Sequence, residues 1–277
     1  MTDQTWFITG ISSGFGRELT EQLLRRGDRV AGTVRRESAA GDLAGRYGDR
    51  LWLGRLDVTD LSRVREVVDA AFAALGRIDV VVANAGYGLF GAAEELTDEQ
   101  VRDQIATNLL GSIQTVRAAL PHLRAQGGGR LIQISSVAGL AAHAGASLYH
   151  ASKWGVEGFM EALAAEVAPF GIGVTIVEPG GARTGFVREG LRIAEPLPAY
   201  AGTPAAMVQA FRTREAPVVG DPRRIAGRII ASVDRRPAPL RLVLGTDSYG
   251  AATAALRQRL ADVEAQGSEA AWTDAGA

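Results

Sequence analysis

The chain has 277 residues, 47% of them apolar, and a formal net charge of −1. That length suits one large α/β domain with a sizeable core, and near-neutrality excludes a global field for nucleic acid or acidic lipid. There is no cysteine, which excludes disulfide and thiolate chemistry; the isolated His122, His143 and His150 make no metal cluster and read as surface or packing residues.

The N-terminal Met1-Thr2-Asp3-Gln4 enters directly into the apolar Trp6-Phe7-Ile8, with no basic segment and long apolar stretch of a signal peptide. No apolar run reaches the ~18 residues of a membrane span, so a soluble cytoplasmic protein is expected. The first predicted strand, Trp6–Thr9, leads at once into Thr9-Gly10-Ile11-Ser12-Ser13-Gly14-Phe15-Gly16. Glycines 10, 14 and 16 permit a tight turn and close backbone approach to a pyrophosphate, and the helix that follows offers free N–H groups. The spacing is G-x-x-x-G-x-G rather than the common G-x-G-x-x-G. The next strand, Arg29–Val34, is followed by Arg35 and Arg36, with no acid where NAD sites place one. A guanidinium fork matches a 2′-phosphate, so NADP(H) is expected in preference to NAD(H).

Further strands are predicted at Leu51–Leu56, Ile78–Ala83, Arg130–Ser135, Ile172–Glu178 and Arg241–Leu244, with periodic helical segments such as Leu61–Leu75 between them. A helix over Tyr149–Phe170 puts Tyr149 and Lys153 on one face, one turn apart, with Ser136 thirteen positions before the tyrosine. An isolated Y-x-x-x-K also describes an aromatic packed under a lysine stem. Read as chemistry, the cation would lower the tyrosine pKa from its ordinary value near ~10 and make the phenol a proton donor and acceptor. Val156, Phe159, Leu163, Ala164 and Val167 spread over several faces of this helix, which predicts burial on several sides. Trp154, Phe159 and Met160 read as core or interface. The prolines at 196, 198, 204 and 217 mark 186–220 as a substrate lid, and the small polar tail 266–277 is expected to fray. The alternation predicts an α/β chain, 1–277, forming a single-domain Rossmann-type three-layer fold. Its sheet is expected to be mostly parallel, roughly seven-stranded and doubly wound.

Taken together, these residues resemble the short-chain dehydrogenase/reductase family over about residues 5–185. Thr9–Gly16 corresponds to its cofactor loop, Asp57-Val58 to its adenine contact, and Asn84-Ala85-Gly86 to the end of its N-N-A-G motif, with Ala83 in place of the first asparagine. Asn108 sits where the family has a catalytic asparagine. Ile134-Ser135-Ser136-x-Ala138-Gly139 matches the serine motif, Tyr149-x-x-x-Lys153 follows at the family spacing, and Pro179-Gly180-x-x-x-Thr184 matches the nicotinamide segment. Asn84-Ala85-Gly86-Tyr87-Gly88 together with Thr33-Val34-Arg35 resembles the 17β-hydroxysteroid-dehydrogenase-like branch.

The resemblance implies an oxidoreductase moving a hydride between NADP(H) and a carbonyl or secondary alcohol. Tyr149 would give the proton, Ser136 would bind the same oxygen, and Lys153 would tune the tyrosine and hold the nicotinamide ribose. Asn108 would hold a water that connects Lys153 to solvent. It also implies a homodimer or homotetramer joined through the Tyr149 helix. The substrate pocket would be lined by Leu89, Phe90, residues 137–143, 180–186 and 187–215, with His143, Leu191, Ile193 and Tyr200 as contacts. A non-catalytic NADP(H)-binding regulator is the alternative. A sugar-nucleotide isomerase is disfavoured because the short C-terminal region leaves little room for a larger substrate domain.

Overall fold

The computed structural model describes residues 3–184, 190–212 and 218–273. Strand β1 (Thr5–Ile8) leads through α1 (Gly14–Arg26) to β2 (Arg29–Val34), α2 (Gly41–Tyr47), β3 (Leu51–Arg55), α3 (Leu61–Leu75) and β4 (Val80–Ala83). Short β5 (Gly88–Phe90) and α4 (Asp98–Ile105) follow, and a π-helical turn, Ala106–Leu110, joins α4 to α5 (Gly111–Ala125). Then come β6 (Gly129–Ile134), α6 (Ser147–Val167), β7 (Ile172–Pro179), β8 (Leu191–Ile193), α7 (Pro222–Ser232), β9 (Arg241–Leu244), α8 (Thr246–Glu264) and α9 (Gly267–Trp272).

Capping residues fix where the helices begin and end. Gly27 adopts φ 104° and returns its N–H to Leu23 and Leu24 carbonyls, which stops α1. Asp60 caps α3 by accepting from the Arg63 N–H at 3.0 Å, and Thr97 with Gln100 forms a capping box on α4.

Seven strands form one wholly parallel sheet in the order β3-β2-β1-β4-β6-β7-β9. The order reverses between β1 and β4, the switch point at which such sheets open a crevice beyond their carboxyl ends. Alternate strand residues feed two cores, as a doubly covered sheet requires. Phe7, Val81, Leu131 and Ile176 meet Val68 and Phe72 of α3, Leu123 of α5 and Met160 of α6. Trp6, Ile8, Val80, Val82 and Ile132 meet Leu19 and Leu23 of α1 and Ile229 of α7 on the other face.

Most expected strands lie within one or two residues of their observed places. Ile78–Ala83 shortens to start at Val80, although Asp79 still bonds both neighbouring strands, its N–H donating to the Thr5 carbonyl and its carbonyl accepting from the Arg130 N–H. The sequence did not predict β5 and β8, which pair in parallel as a separate two-stranded sheet. Their pairing puts part of the expected lid beside the 84–88 loop. Within that lid, Leu197 N–H donates to Glu95 Oε1 at 2.9 Å and Tyr200 OH to Glu94 Oε2 at 3.1 Å, so the described part is tied down. Residues 185–189 and 213–217, including Phe186 and Pro217, lie outside the described residues. The tail carries α9, whose residues are all exposed.

On α6, Val156, Leu163 and Val167 are buried by this chain's own sheet, with Phe159 and Ala164 packed at the edge. Its outward face is instead Ala151, Trp154, Gly158, Ala162 and Ala165, all exposed. No helix among the described residues is long and apolar enough to cross a membrane.

Candidate active site

The turn after β1 is fixed from both sides. Gly10 and Ile11 N–H groups donate to the Thr33 carbonyl at 3.1 and 3.0 Å. The Thr9 hydroxyl accepts from the Asn84 and Ala85 N–H groups at 3.0 Å, and Asn84 Nδ2 donates to the Thr9 and Gly10 carbonyls at 2.8 and 3.1 Å. The Asn84-Ala85-Gly86 segment is thus the other wall of the glycine loop. A Cβ on Gly16 would overlap the Gly10 carbonyl oxygen, so only glycine lets α1 come this close. Gly14 has φ +58° and open space where its Cβ would be. Ser13 caps α1 with no side-chain hydrogen bond, and the first-turn N–H groups remain for an anion. This cradle of glycine backbone and a helix N-terminus fits a pyrophosphate.

Other expected cofactor residues ring the same crevice. Arg35 and Arg36 are exposed at the end of β2, and no carboxylate among the described residues pairs with either. Asp57 turns onto Thr59, accepting from its N–H and hydroxyl at 3.0 and 2.8 Å, while Val58 packs under Gly111. At the end of β7, Gly180 N–H donates to the Leu244 carbonyl at 2.9 Å and Gly181 N–H to Asp247 Oδ2 at 2.7 Å. Asp247, in the first turn of α8, therefore anchors the 179–184 segment, and a Cβ on Gly180 would overlap its carboxylate. Nothing in the linear sequence near Pro179 points to Asp247.

Ser136, Tyr149 and Lys153 converge at the carboxyl end of β6. The Ser136 side chain hydrogen-bonds the Tyr149 phenol, and Ser136 Oγ also accepts from the Ala138 N–H at 3.2 Å. Lys153 Nζ lies 5.7 Å from the Tyr149 ring centroid and donates to the Ile134 carbonyl at 3.0 Å. Both are buried, and burial dominates their titration. It pushes the Tyr149 phenol up to about 12, against the pull of Ser136. It pushes Lys153 down to about 8, against the attraction of Glu157. The expected lowering of the tyrosine pKa is therefore corrected: desolvation sets the direction, and the pull against it comes from Ser136, the ammonium being turned toward a backbone carbonyl. Lys153 is also the only lysine in the chain, a signal that motif spacing does not carry.

Asn108 lies in the π-helical turn and is 1% exposed. Its Nδ2 donates to the Tyr87 carbonyl at 2.8 Å and to Ser152 Oγ at 3.2 Å, and its Oδ1 accepts from the Tyr87 N–H at 3.0 Å. Both amide hydrogens are committed, so the side chain keeps no donor for a water. It staples the 84–88 loop to α6. His150 secures a second loop in the same way. Its Nδ1 meets the Ala138 carbonyl at 2.9 Å and its Nε2 accepts from the His143 N–H at 3.1 Å, which fixes residues 138–143. This pairing requires a neutral ring, the form burial favours. Above Tyr149, Phe90 lies edge-on to Tyr149, His143 and Phe211 at 5.7, 6.2 and 5.9 Å. Leu191 and Ile193 stand on β8 opposite Gly88 and Phe90.

Beneath these residues lies a charge cluster in which Glu157 and Glu178 are buried, Arg241 is half-buried and Glu161 is exposed. Arg241 Nη1 meets Glu157 Oε2 at 2.6 Å and Glu178 Oε1, and its Nη2 meets Glu161 Oε2 at 3.0 Å. Burial and the repulsion of Glu157 push the fully buried Glu178 carboxyl up from 4.5 to about 7, against the pull of Arg241. The folded state therefore holds this proton more tightly than the unfolded chain. That contribution to stability is lost as pH rises through about 7. Glu178→Gln keeps an acceptor for Arg241 and is never charged. Thermal melts should show it more stable than the parent above pH 7, with the advantage shrinking toward pH 5; a pH-independent difference would overturn the assignment. Among the described residues no group of three or more His, Asp and Glu could hold a metal.

Comparison with known proteins agrees with this geometry. The family described as short chain dehydrogenase matches residues 4–192. An oxidoreductase of Botryotinia fuckeliana, BOA17, is 36% identical over 244 residues, covering 88% of this chain and 89% of its own. A 3-ketodihydrosphingosine reductase of Bacteroides thetaiotaomicron is 41% identical over 186 residues, 67% of this chain and 66% of its own. The crystal structure of a short-chain dehydrogenase from Streptomyces avermitilis superposes with TM-score 0.91 at 40% identity over 99% of each chain. A tyrosine-to-phenylalanine variant of ElxO with NADPH bound superposes with TM-score 0.72 at 25% identity, over 88% of this chain and 96% of its own. With a family match over most of the chain and relatives above 30% identity across nearly all of it, the chain belongs to the short-chain dehydrogenase/reductase family of nicotinamide-dependent oxidoreductases.

Proposed function

We propose that this protein reduces a ketone with NADP(H), with Tyr149 as the proton donor; run backwards, the reaction oxidises a secondary alcohol. The observation that carries the reading is the meeting of Ser136, Tyr149 and Lys153 at the carboxyl end of β6, beside the glycine cradle. The cofactor supplies the hydride, and the protein supplies position and proton. The 9–16 loop holds the pyrophosphate, Asp57 and Val58 flank the adenine, and Asn84, Ala85, Gly86, Pro179, Gly180 and Thr184 border the nicotinamide half. A buried phenol that stays protonated has a proton to give to a developing alkoxide. Ser136 orients the same oxygen. Lys153, poised near pH 8, holds the nicotinamide ribose and passes protons toward Tyr149.

The relative named as a 3-ketodihydrosphingosine reductase supports ketone reduction, and the Phe90, Phe211 and His143 wall suits a hydrophobic ketone. The 17β-hydroxysteroid-dehydrogenase-like subgroup is the branch we favour, on residues 84–88 and 33–35. The lack of any carboxylate partner for Arg35 and Arg36 among the described residues supports the cofactor assignment; structures of related fold carry both forms, NADPH in the ElxO variant and NAD in a Burkholderia phymatum protein. Arg35→Ala should raise the Kd for NADPH by about 10–100-fold, the worth of a hydrogen bond to a charged group, and change that for NADH little. Equal changes in titrations of both cofactors would make the 2′-phosphate assignment wrong.

The exposed Trp154, 43% accessible, and the small residues around it on α6 suit a homodimer or homotetramer. Light scattering at micromolar concentration should give a mass of two or four chains, and a single-chain mass would rule this out. An NADPH-oxidation screen over ketones, aldehydes and quinones tests the whole reading. Tight cofactor binding without turnover of any of them would favour a regulator.

A further inference from the structure

We propose that Glu157 is a positioning residue for this reaction, holding the serine strand end and Lys153 in register from beneath, with Arg241 as its counter-charge. The proposal rests on the function proposed above. Tyr149, Lys153 and Glu157 stand at i, i+4 and i+8 on one face of α6. Each engages a different residue of the 134–136 strand end. Tyr149 meets the Ser136 side chain, Lys153 Nζ meets the Ile134 carbonyl at 3.0 Å, and Glu157 Oε1 accepts from Ser135 Oγ at 2.6 Å. The helix face and the strand end are thus joined at three points, with Glu157 on the middle residue, Ser135.

Room has been made for this carboxylate. A Cβ on Gly139 would overlap Glu157 Oε1 and come within 2.9 Å of Ser135 Oγ. The glycine that closes the serine motif is therefore required by Glu157. The carboxylate is 3% exposed and uses both oxygens, one on Ser135 and one on Arg241. A buried ion pair is a poor way to gain stability, since apolar residues of similar volume do as well or better. Its place directly below two reacting side chains gives it another use.

The charged groups facing Glu157 are Lys153 and Glu161 from α6, Arg241 from β9 and Glu178 from β7. Those facing Lys153 are Tyr149 and Glu157, both on α6. Glu157 attracts the proton on Lys153, so removing its charge leaves the ammonium with burial alone and moves its midpoint lower.

Because Lys153 is the only lysine, selective 13C-lysine labelling of the full chain reports its titration as one side-chain signal, with no substrate needed. Glu157→Gln should lower that midpoint by roughly one unit. With the ketone found in the NADPH-oxidation screen, kcat should fall by up to about 10²-fold with KM little changed, as expected when reacting groups lose alignment. Glu157→Asp, which keeps the charge, should restore much of the midpoint. An unmoved Lys153 midpoint in folded Glu157→Gln, or an unchanged kcat, overturns the proposal. If that variant does not fold, Ser135→Ala carries the test: kcat should fall while the Lys153 midpoint holds, and an unchanged kcat again overturns it. Failure of the underlying function is recognised separately, by undiminished turnover of Tyr149→Phe.

Discussion

Tyr149→Phe should lower ketone reduction by about 10²–10⁴-fold, the usual loss on removing a general acid, while NADPH still binds. The substitution is nearly silent for packing. The Tyr149 ring is held by Ala138, Ala146 and the edge of Phe90, and a phenylalanine ring keeps those contacts. What is lost is one oxygen, its interaction with Ser136 and its proton. Stopped-flow NADPH oxidation and fluorescence titration of the cofactor separate turnover from binding; undiminished turnover would remove the proton-transfer role. The parent enzyme carries a companion signature. If an ammonium at Lys153 is needed, reduction should decline as pH rises through about 8, where Lys153 loses its proton, well below the value near 12 at which Tyr149 would.

Much of this could be read before any coordinates. Seven short apolar runs separated by helical periods specify a covered parallel sheet, because such a sheet needs strands apolar on both faces. Trp6, Phe7 and Ile8 do this within three residues, feeding both cores. Gly10, Gly14 and Gly16 are legible because backbone geometry alone demands them. The three-residue β5 and β8 are not, since neither is long enough to show a period of two and they lie about a hundred residues apart in the chain. The charge cluster was hidden for the same reason: Arg241 reaches Glu157 across 84 positions and Glu178 across 63. The Tyr149 pKa went the other way because spacing reveals a neighbouring cation but not the burial that opposes it. Asn108 was found by its place in the chain, yet its amide serves the Tyr87 backbone, a partner that no spacing rule identifies.

Gly16→Ala should impair both stability and cofactor binding, for one steric reason. The new methyl would overlap the Gly10 carbonyl oxygen and lie 2.5 Å from Asn84 Nδ2. Neither neighbour is a flexible chain end. The Gly10 carbonyl belongs to a turn pinned to Thr33, and Asn84 Nδ2 is bonded to both the Thr9 and Gly10 carbonyls. Relief requires α1 to move away from β1 or the 9–12 turn to lift, and overpacking of this kind costs about 1–3 kcal/mol. For a chain of this size that lowers Tm by about 2–4 °C for each kcal/mol. The same displacement moves the N–H groups at the start of α1, and a hydrogen bond to a charged group is worth about 1.5–3 kcal/mol. Misplacing even one should raise the NADPH Kd by about 10–100-fold. Calorimetry and cofactor titration on the same sample distinguish the outcomes. A lower Tm with unchanged Kd would mean that the glycine turn packs the fold but does not hold the pyrophosphate. No change in either would mean that α1 can shift freely, and the close approach at Gly16 would not be what the turn depends on.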